Sequence, residues 1–273
     1  MNRLLIALLL ASVAACGDDK PTAPSPTTTA VTVTVSSPVR MGQTTQATGT
    51  ETLSDGQARS ITSGWLSDAP AVATVSNSGL VTGIANGRAT IYVAPNGRQG
   101  QQVVRVVPDY QGRWSGGLRI TSCTETGIFA EADFCDDSPV GTTYSYSLNL
   151  SQSGEQMTAV VDYGAPLLFP SIAAPIREDG ASAFTPSISV TESGITLILD
   201  AAFTINSTRV GELTGTVNEL WRLPNVSGEG RLVQEIVGTS RTSATTSSTT
   251  THGTSDGTAR RLRVLRRLAA QDR

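Results

Sequence analysis

Hydrophobic positions in this chain fall in short alternating runs, with few stripes of helical period. Val31, Val33 and Val35 alternate with threonines, the period of a half-buried strand. The same alternation returns at Leu118 and Ile120; at Tyr144, Tyr146, Leu148 and Leu150; and at Met157, Ala159 and Val161. Later runs are Ile188 and Val190; Ile195, Leu197 and Leu199; Leu213, Val217 and Leu220; and Leu232 to Val237. Turn chemistry separates them: Asp55-Gly56, Asn77-Ser78-Gly79, Asn86-Gly87, Asn96-Gly97 and Gln152-Ser153-Gly154-Glu155, pairs and triplets that supply the backbone angles of tight turns. The pattern predicts an all-β chain of two units, residues 30–107 and 108–239, joined at Val107-Pro108-Asp109. The second unit reads as about eight short antiparallel strands, a barrel or a sandwich.

The two ends follow other patterns. Arg3 is followed by an unbroken apolar run from Leu4 to Leu10 and then by small residues, the layout of a secretory signal too short to span a membrane. Residues 1–15 are therefore expected to be a signal peptide. The four residues Val13-Ala14-Ala15-Cys16 resemble the lipobox of bacterial lipoproteins, which implies a diacylglyceryl group on Cys16 as the mature N-terminus and a membrane partner through that lipid. Residues 16–29 then form a flexible Pro/Thr linker without large apolar side chains, a spacer reaching on the order of 40 Å. With Cys16 assigned to lipid, Cys123 and Cys135 remain as an even pair, expected to form a disulfide in an oxidising compartment. The bland alternative is two unrelated buried thiols. Such a bridge would contribute about 3 kcal/mol on the chain-entropy account.

Within the first unit, Gly64 to Val93 carries a specific spacing: Trp65, Ser67, Pro70, Val72, Ala73, Val75, Gly79, Leu80, Val81, Gly83, Gly87, Ala89 and Ile91. These residues resemble the bacterial Ig-like group 2 domain found in intimin- and invasin-type adhesins. The resemblance implies an Ig-like β-sandwich with Trp65 in its core, and a spacer or adhesive role. Gly112-Arg113-Trp114, at the head of the second unit, resembles the G-x-W that opens lipocalin-like barrels. That likeness implies an arginine from a late strand packed across Trp114, with Arg222 or Arg231 as the candidates, and a carrier of a small apolar ligand.

Charge is uneven along the chain. Residues 260–273 hold six arginines and one aspartate, net +5, whereas residues 17–259 hold thirteen basic and twenty-two acidic residues, net −9. An acidic body argues against a nucleic-acid partner. Residues 240–273 read as a disordered Ser/Thr-rich and basic tail. Its last part places Leu262, Val264, Leu265, Leu268 and Ala269 on one side of a helical wheel, with Arg260, Arg263, Arg266 and Arg267 on the other. An anionic lipid surface or a solvated free end are both open for it.

Chemistry is sparse. The single histidine, His252, lies in the tail, which removes histidine-based triads and the usual zinc sites. Asp162, Asp200, Glu212 and Glu219 are the carboxylates a glycosidase-like pair would draw on, but they stand isolated in polar strands and read as solvated. Glu125, Glu131, Asp133, Asp136 and Asp137 cluster around the cysteine pair without the spacing of a calcium loop. The expectation is no enzyme, no metal and no cofactor. The role expected is binding, adhesion or structural display toward a surface glycan or protein, with the apolar-ligand carrier as the alternative and a carbohydrate-active enzyme as a third.

Overall fold

A computed structural model describes residues 24–192 and 194–242, together with Arg263 and Arg267. The expected signal peptide 1–15, Cys16, linker residues up to 23, His252 and nearly all of the tail from 243 lie outside the described residues.

Ten strands build the first unit: β1 (Thr28–Thr34), β2 (Val39–Arg40), β3 (Thr44–Gln46), β4 (Thr48–Leu53), β5 (Ala58–Ile61), β6 (Leu66–Ser67), β7 (Ala73–Val75), β8 (Leu80–Gly83), β9 (Gly87–Val93) and β10 (Gly100–Val107). They pair in three small sheets, β1-β4-β5, β2-β10-β9-β6 and β3-β8-β7. Every pairing is antiparallel except β2 with β10. Alternation on β4 and β9 turns one face inward, and Val33, Val35, Met41, Trp65, Val81, Ile91 and Val104 meet in a single core. Trp65 is buried just before β6, which agrees with the sequence expectation. Burial of this apolar face is the term that holds the unit together.

The second unit contains β11 (Gly112–Glu125), β12 (Thr143–Ser153), β13 (Gln156–Asp162), β14 (Ile172–Pro175), β15 (Ser182–Phe184), β16 (Ser187–Glu192), β17 (Ile195–Asn206), β18 (Glu212–Arg222) and β19 (Glu229–Arg241). They form one sheet in the order β14-β13-β12-β11-β19-β18-β17-β15, with β16 following β15 along the same edge of β17. A bridge between Ile176 and Ser182 brings the two ends of that sheet together. The result is a nearly closed up-and-down barrel whose first and last strands are neighbours.

The barrel interior is a packed core. Trp114, Leu118, Ile120, Tyr144, Tyr146, Leu148, Leu150, Phe203 and Trp221 are all buried in one cluster. Closing the sheet needs local kinks, and β-bulges interrupt the register between β11 and β19 and between β18 and β19, as barrels require. Gly116 sits at one of them, where an added Cβ would overlap the Thr239 side chain.

Two short helices, α1 (Ile128–Glu131) and α2 (Phe134–Asp137), cap the barrel end away from the first unit. Their Phe129 and Phe134 are buried and pack edge to face, and Phe134 reaches Trp221 at 5.8 Å between ring centroids. Gly230 makes room for this plug, since a Cβ there would lie 2.7 Å from the Phe134 ring. The Cys123–Cys135 disulfide is formed and ties α2 to β11.

Candidate functional site

Three places concentrate polar side chains: the joint between the units, the barrel interior and the cap.

The joint is built on two buried charged residues from the sequence around Pro108. Asp109 is only 4% exposed in its side chain. One carboxylate oxygen accepts from Arg40 Nη1 at 3.1 Å and from the Gln111 amide, and the other accepts from Arg241 Nη1 at 2.9 Å. Arg241 also donates to the Asp109 carbonyl. Its guanidinium carbon lies 4.9 Å from the centre of the Trp114 ring, within range of a cation–π attraction. Trp114 Nε1 donates to the Tyr110 carbonyl at 2.8 Å. The arginine over Trp114 is thus Arg241; neither expected residue is there. Arg222 pairs with Asp200 and Arg231 with Glu229, both on the outside of the barrel.

Arg105, on β10, completes the joint from the other side. It donates to the Arg177 and Glu178 carbonyls at 3.1 and 3.2 Å, and faces Glu155 at 3.3 Å. Arg88 pairs with Glu178 at 2.6 Å, and Asn86 donates to the Glu178 carbonyl. The hydrogen bond from Arg88 holds the Glu178 carboxyl below its usual range. Tyr110, buried at the junction, donates its hydroxyl to the Gly180 carbonyl at 2.7 Å. Burial pushes that hydroxyl well above its ordinary value, so it remains a donor across physiological pH.

Inside the barrel, Glu219 and Gln234 break the apolar lining. Glu219 is buried and accepts from Trp221 Nε1 at 3.0 Å, which corrects the expectation that it is solvated. Gln234 is fully buried between Ile120 and Val217 on the neighbouring strands. Neither its amide nitrogen nor its oxygen has a hydrogen-bond partner among the described residues. Such a group normally costs about 1–3 kcal/mol. Asp200 and Glu212 project outward, and Asp162 accepts from the Gly164 amide at the end of β13. The four carboxylates considered for catalysis therefore do not share a face.

The cap carries the acidic cluster. Glu125 accepts from the Cys135 amide at 2.7 Å, and Asp133, Asp136 and Glu131 are exposed. Among the described residues no group of three or more His, Cys, Asp or Glu side chains is placed to hold a metal ion.

Solved structures that overlap the chain include domains 5-6 of the S-layer protein SbsC, at 17% identity over 77% of this chain and 98% of that one, TM-score 0.28; and domains 4-9 of the surface layer protein SbsC, at 17% identity over 77% and 31%, TM-score 0.27. No curated protein matches. Residues 27–107 match the family model described as bacterial Ig-like domain (group 2), and the first unit is a member of that family.

Proposed function

We propose that this protein is exported, lipidated at Cys16, and serves as a non-catalytic display module in which the Ig-like unit holds the barrel off a membrane as part of one stiff body. The observation that carries this reading is the joint. Buried Asp109 and Arg105 tie both units through charge-assisted hydrogen bonds, an arrangement that resists bending where an ordinary linker would not. The Ig-like family match and the side-chain-filled barrel interior support it. The Val13-Ala14-Ala15-Cys16 motif supports the anchor.

The anchor is tested in a bacterial host. Mass spectrometry of the membrane-derived protein is expected to show loss of residues 1–15 and added acyl mass on Cys16, and Cys16→Ser is expected to release the protein from membranes. A Cys16→Ser protein that stays fully membrane-bound would overturn the anchor.

One observation favours the carrier alternative: Gln234 faces the barrel interior with both amide atoms unpartnered among the described residues. Gln234→Met separates the readings. For a barrel that is only a core, removing an unsatisfied amide is expected to raise stability by about 1–2 kcal/mol in urea unfolding. A loss of stability would instead mean that the amide bonds the polar end of a guest held among the apolar side chains, and would favour the carrier.

A further inference from the structure

The cap over the barrel end has the build of a lid. It is bounded by Gly127 and Gly141, which hold φ of 53° and 91°, and glycine absorbs the backbone change that a hinge needs. Between them run residues 128–140, whose regular structure is α1 and α2. Helices of one turn are not stable by themselves, so this segment takes its shape from what it touches. Phe129, Ala132 and Phe134 point into the barrel and are buried. Phe134 lies against Trp221 and over Gly230. At the edge, the Cys135 amide donates to Glu125 at 2.7 Å and the Tyr144 hydroxyl donates to the Asp137 carbonyl at 3.2 Å. The Ile128 amide reaches the Ser227 carbonyl only at 3.5 Å.

The covalent tie runs from Cys123 on the barrel wall to Cys135 on the lid. Two buried rings oppose the entropy of ordering the whole segment, and those two quantities are of similar size. A cross-link that restricts the open chain therefore decides the balance. Both cysteines are half-buried, unlike the rings they hold in place, so a small thiol can reach them.

The polar residues of the interior lie beneath this end. Glu219 is two residues inward from Trp221 on β18 and accepts from its Nε1. Gln234 pairs with Val217, two residues further in. Along β19 it stands four residues from Gly230, roughly 13 Å below the rim. Opening this end brings water toward both.

We propose that residues 128–140 form a redox-released lid on the barrel mouth, pinned shut by Cys123–Cys135 and opened by a dithiol. One thiolate of the dithiol attacks a cysteine sulfur, the S–S bond breaks, and the other cysteine leaves as a thiolate that takes up a proton. The second thiolate of the dithiol attacks the mixed disulfide, closes its own disulfide and frees the first cysteine. Two electrons and two protons pass from the dithiol to the protein. The open form presents an aromatic mouth of Phe129, Phe134 and Trp221 that the closed form hides. This switch is separate from the display role and holds whether or not the barrel carries a guest.

The test is amide hydrogen exchange of the full-length protein, read by mass spectrometry before and after excess dithiothreitol. Peptides covering residues 128–140 are expected to exchange roughly ten- to a hundredfold faster after reduction, the range that loss of a cross-link closing a loop of this size allows. Protection in β12, β17 and β18 is expected to persist, and reoxidation to restore slow exchange in the lid. Cys135→Ala is expected to match the reduced parent without any reductant. Phe134→Ala, with the disulfide intact, is expected to speed the lid less than reduction does. Unchanged exchange after reduction, with alkylation showing both thiols free, would overturn the proposal. So would loss of protection across the barrel strands, which would make the bridge a staple of the whole fold. A larger effect of Phe134→Ala than of reduction would make the ring the pin, and would overturn it as well.

Discussion

Trp114→Ala is expected to lower the stability of the barrel by about 3–5 kcal/mol, the usual cost of deleting a large buried aromatic ring. The ring is fully buried at the mouth of the barrel, beneath Arg241 and above the core that Leu118 and Leu148 continue. Its loss removes packing, the hydrogen bond from Nε1 to the Tyr110 carbonyl and the surface on which the Arg241 guanidinium rests. Urea unfolding followed by near-ultraviolet circular dichroism measures the change. Trp114→Phe keeps most of the ring but not the N–H, and is expected to recover more than half of the loss. A cost below 1 kcal/mol for the alanine variant would mean that the ring does not anchor the barrel end.

Asp109→Ala is the second large effect, about 2–3 kcal/mol. Removing one member of a fully buried ion pair costs roughly 3–5 kcal/mol. The discount arises because Arg40 is 36% exposed and Arg241 28% exposed, so each regains some water when the carboxylate is gone. The variant is also expected to loosen the joint, because Arg40 belongs to the sandwich and Arg241 to the barrel. Two separated thermal transitions in calorimetry would replace the coupled unfolding of the parent. Adding Arg40→Met to Asp109→Ala is expected to cost less than the sum of the single changes, since the two residues share one interaction. Strict additivity would show that the pair across the joint is not coupled.

Much of the architecture was legible from spacing alone. The Trp65 to Ile91 pattern announced the Ig-like unit, and the alternation at Tyr144, Tyr146, Leu148 and Leu150 announced a barrel strand with one buried face. The polar residues that matter were harder to see. Glu219 on β18 stands in phase with Leu213, Val217 and Trp221, and Gln234 on β19 with Leu232 and Ile236, so simple alternation turns both inward. A count of hydrophobic residues passes over polar side chains at such positions, because only their spacing from the apolar neighbours marks them as inward. Leu220, which looked like a core position, has the opposite parity to Leu213 and Val217 and is only half-buried, while its neighbour Glu219 faces in. Arg241 escaped notice because its partner Trp114 is 127 positions away along the chain. Asp109 and Arg105 carried no motif, since a buried salt bridge depends on which surfaces meet. Helices α1 and α2 are four residues each, too short for a periodic signal.

The meander order of the barrel sets where its two ends lie. Trp114 and Arg241 are Cα partners on adjacent strands, a separation of about 4.5–5.5 Å. The chain therefore enters and leaves the barrel through the same doorway, next to the sandwich. The far tip carries the hairpin connection between β11 and β12, residues 126–142. A passenger protein grafted after Thr242 would ride beside the Ig-like unit and leave the tip bare. The whole barrel, spliced as residues 110–242 into a surface turn of another protein, would ask that host to open a gap of only one strand spacing.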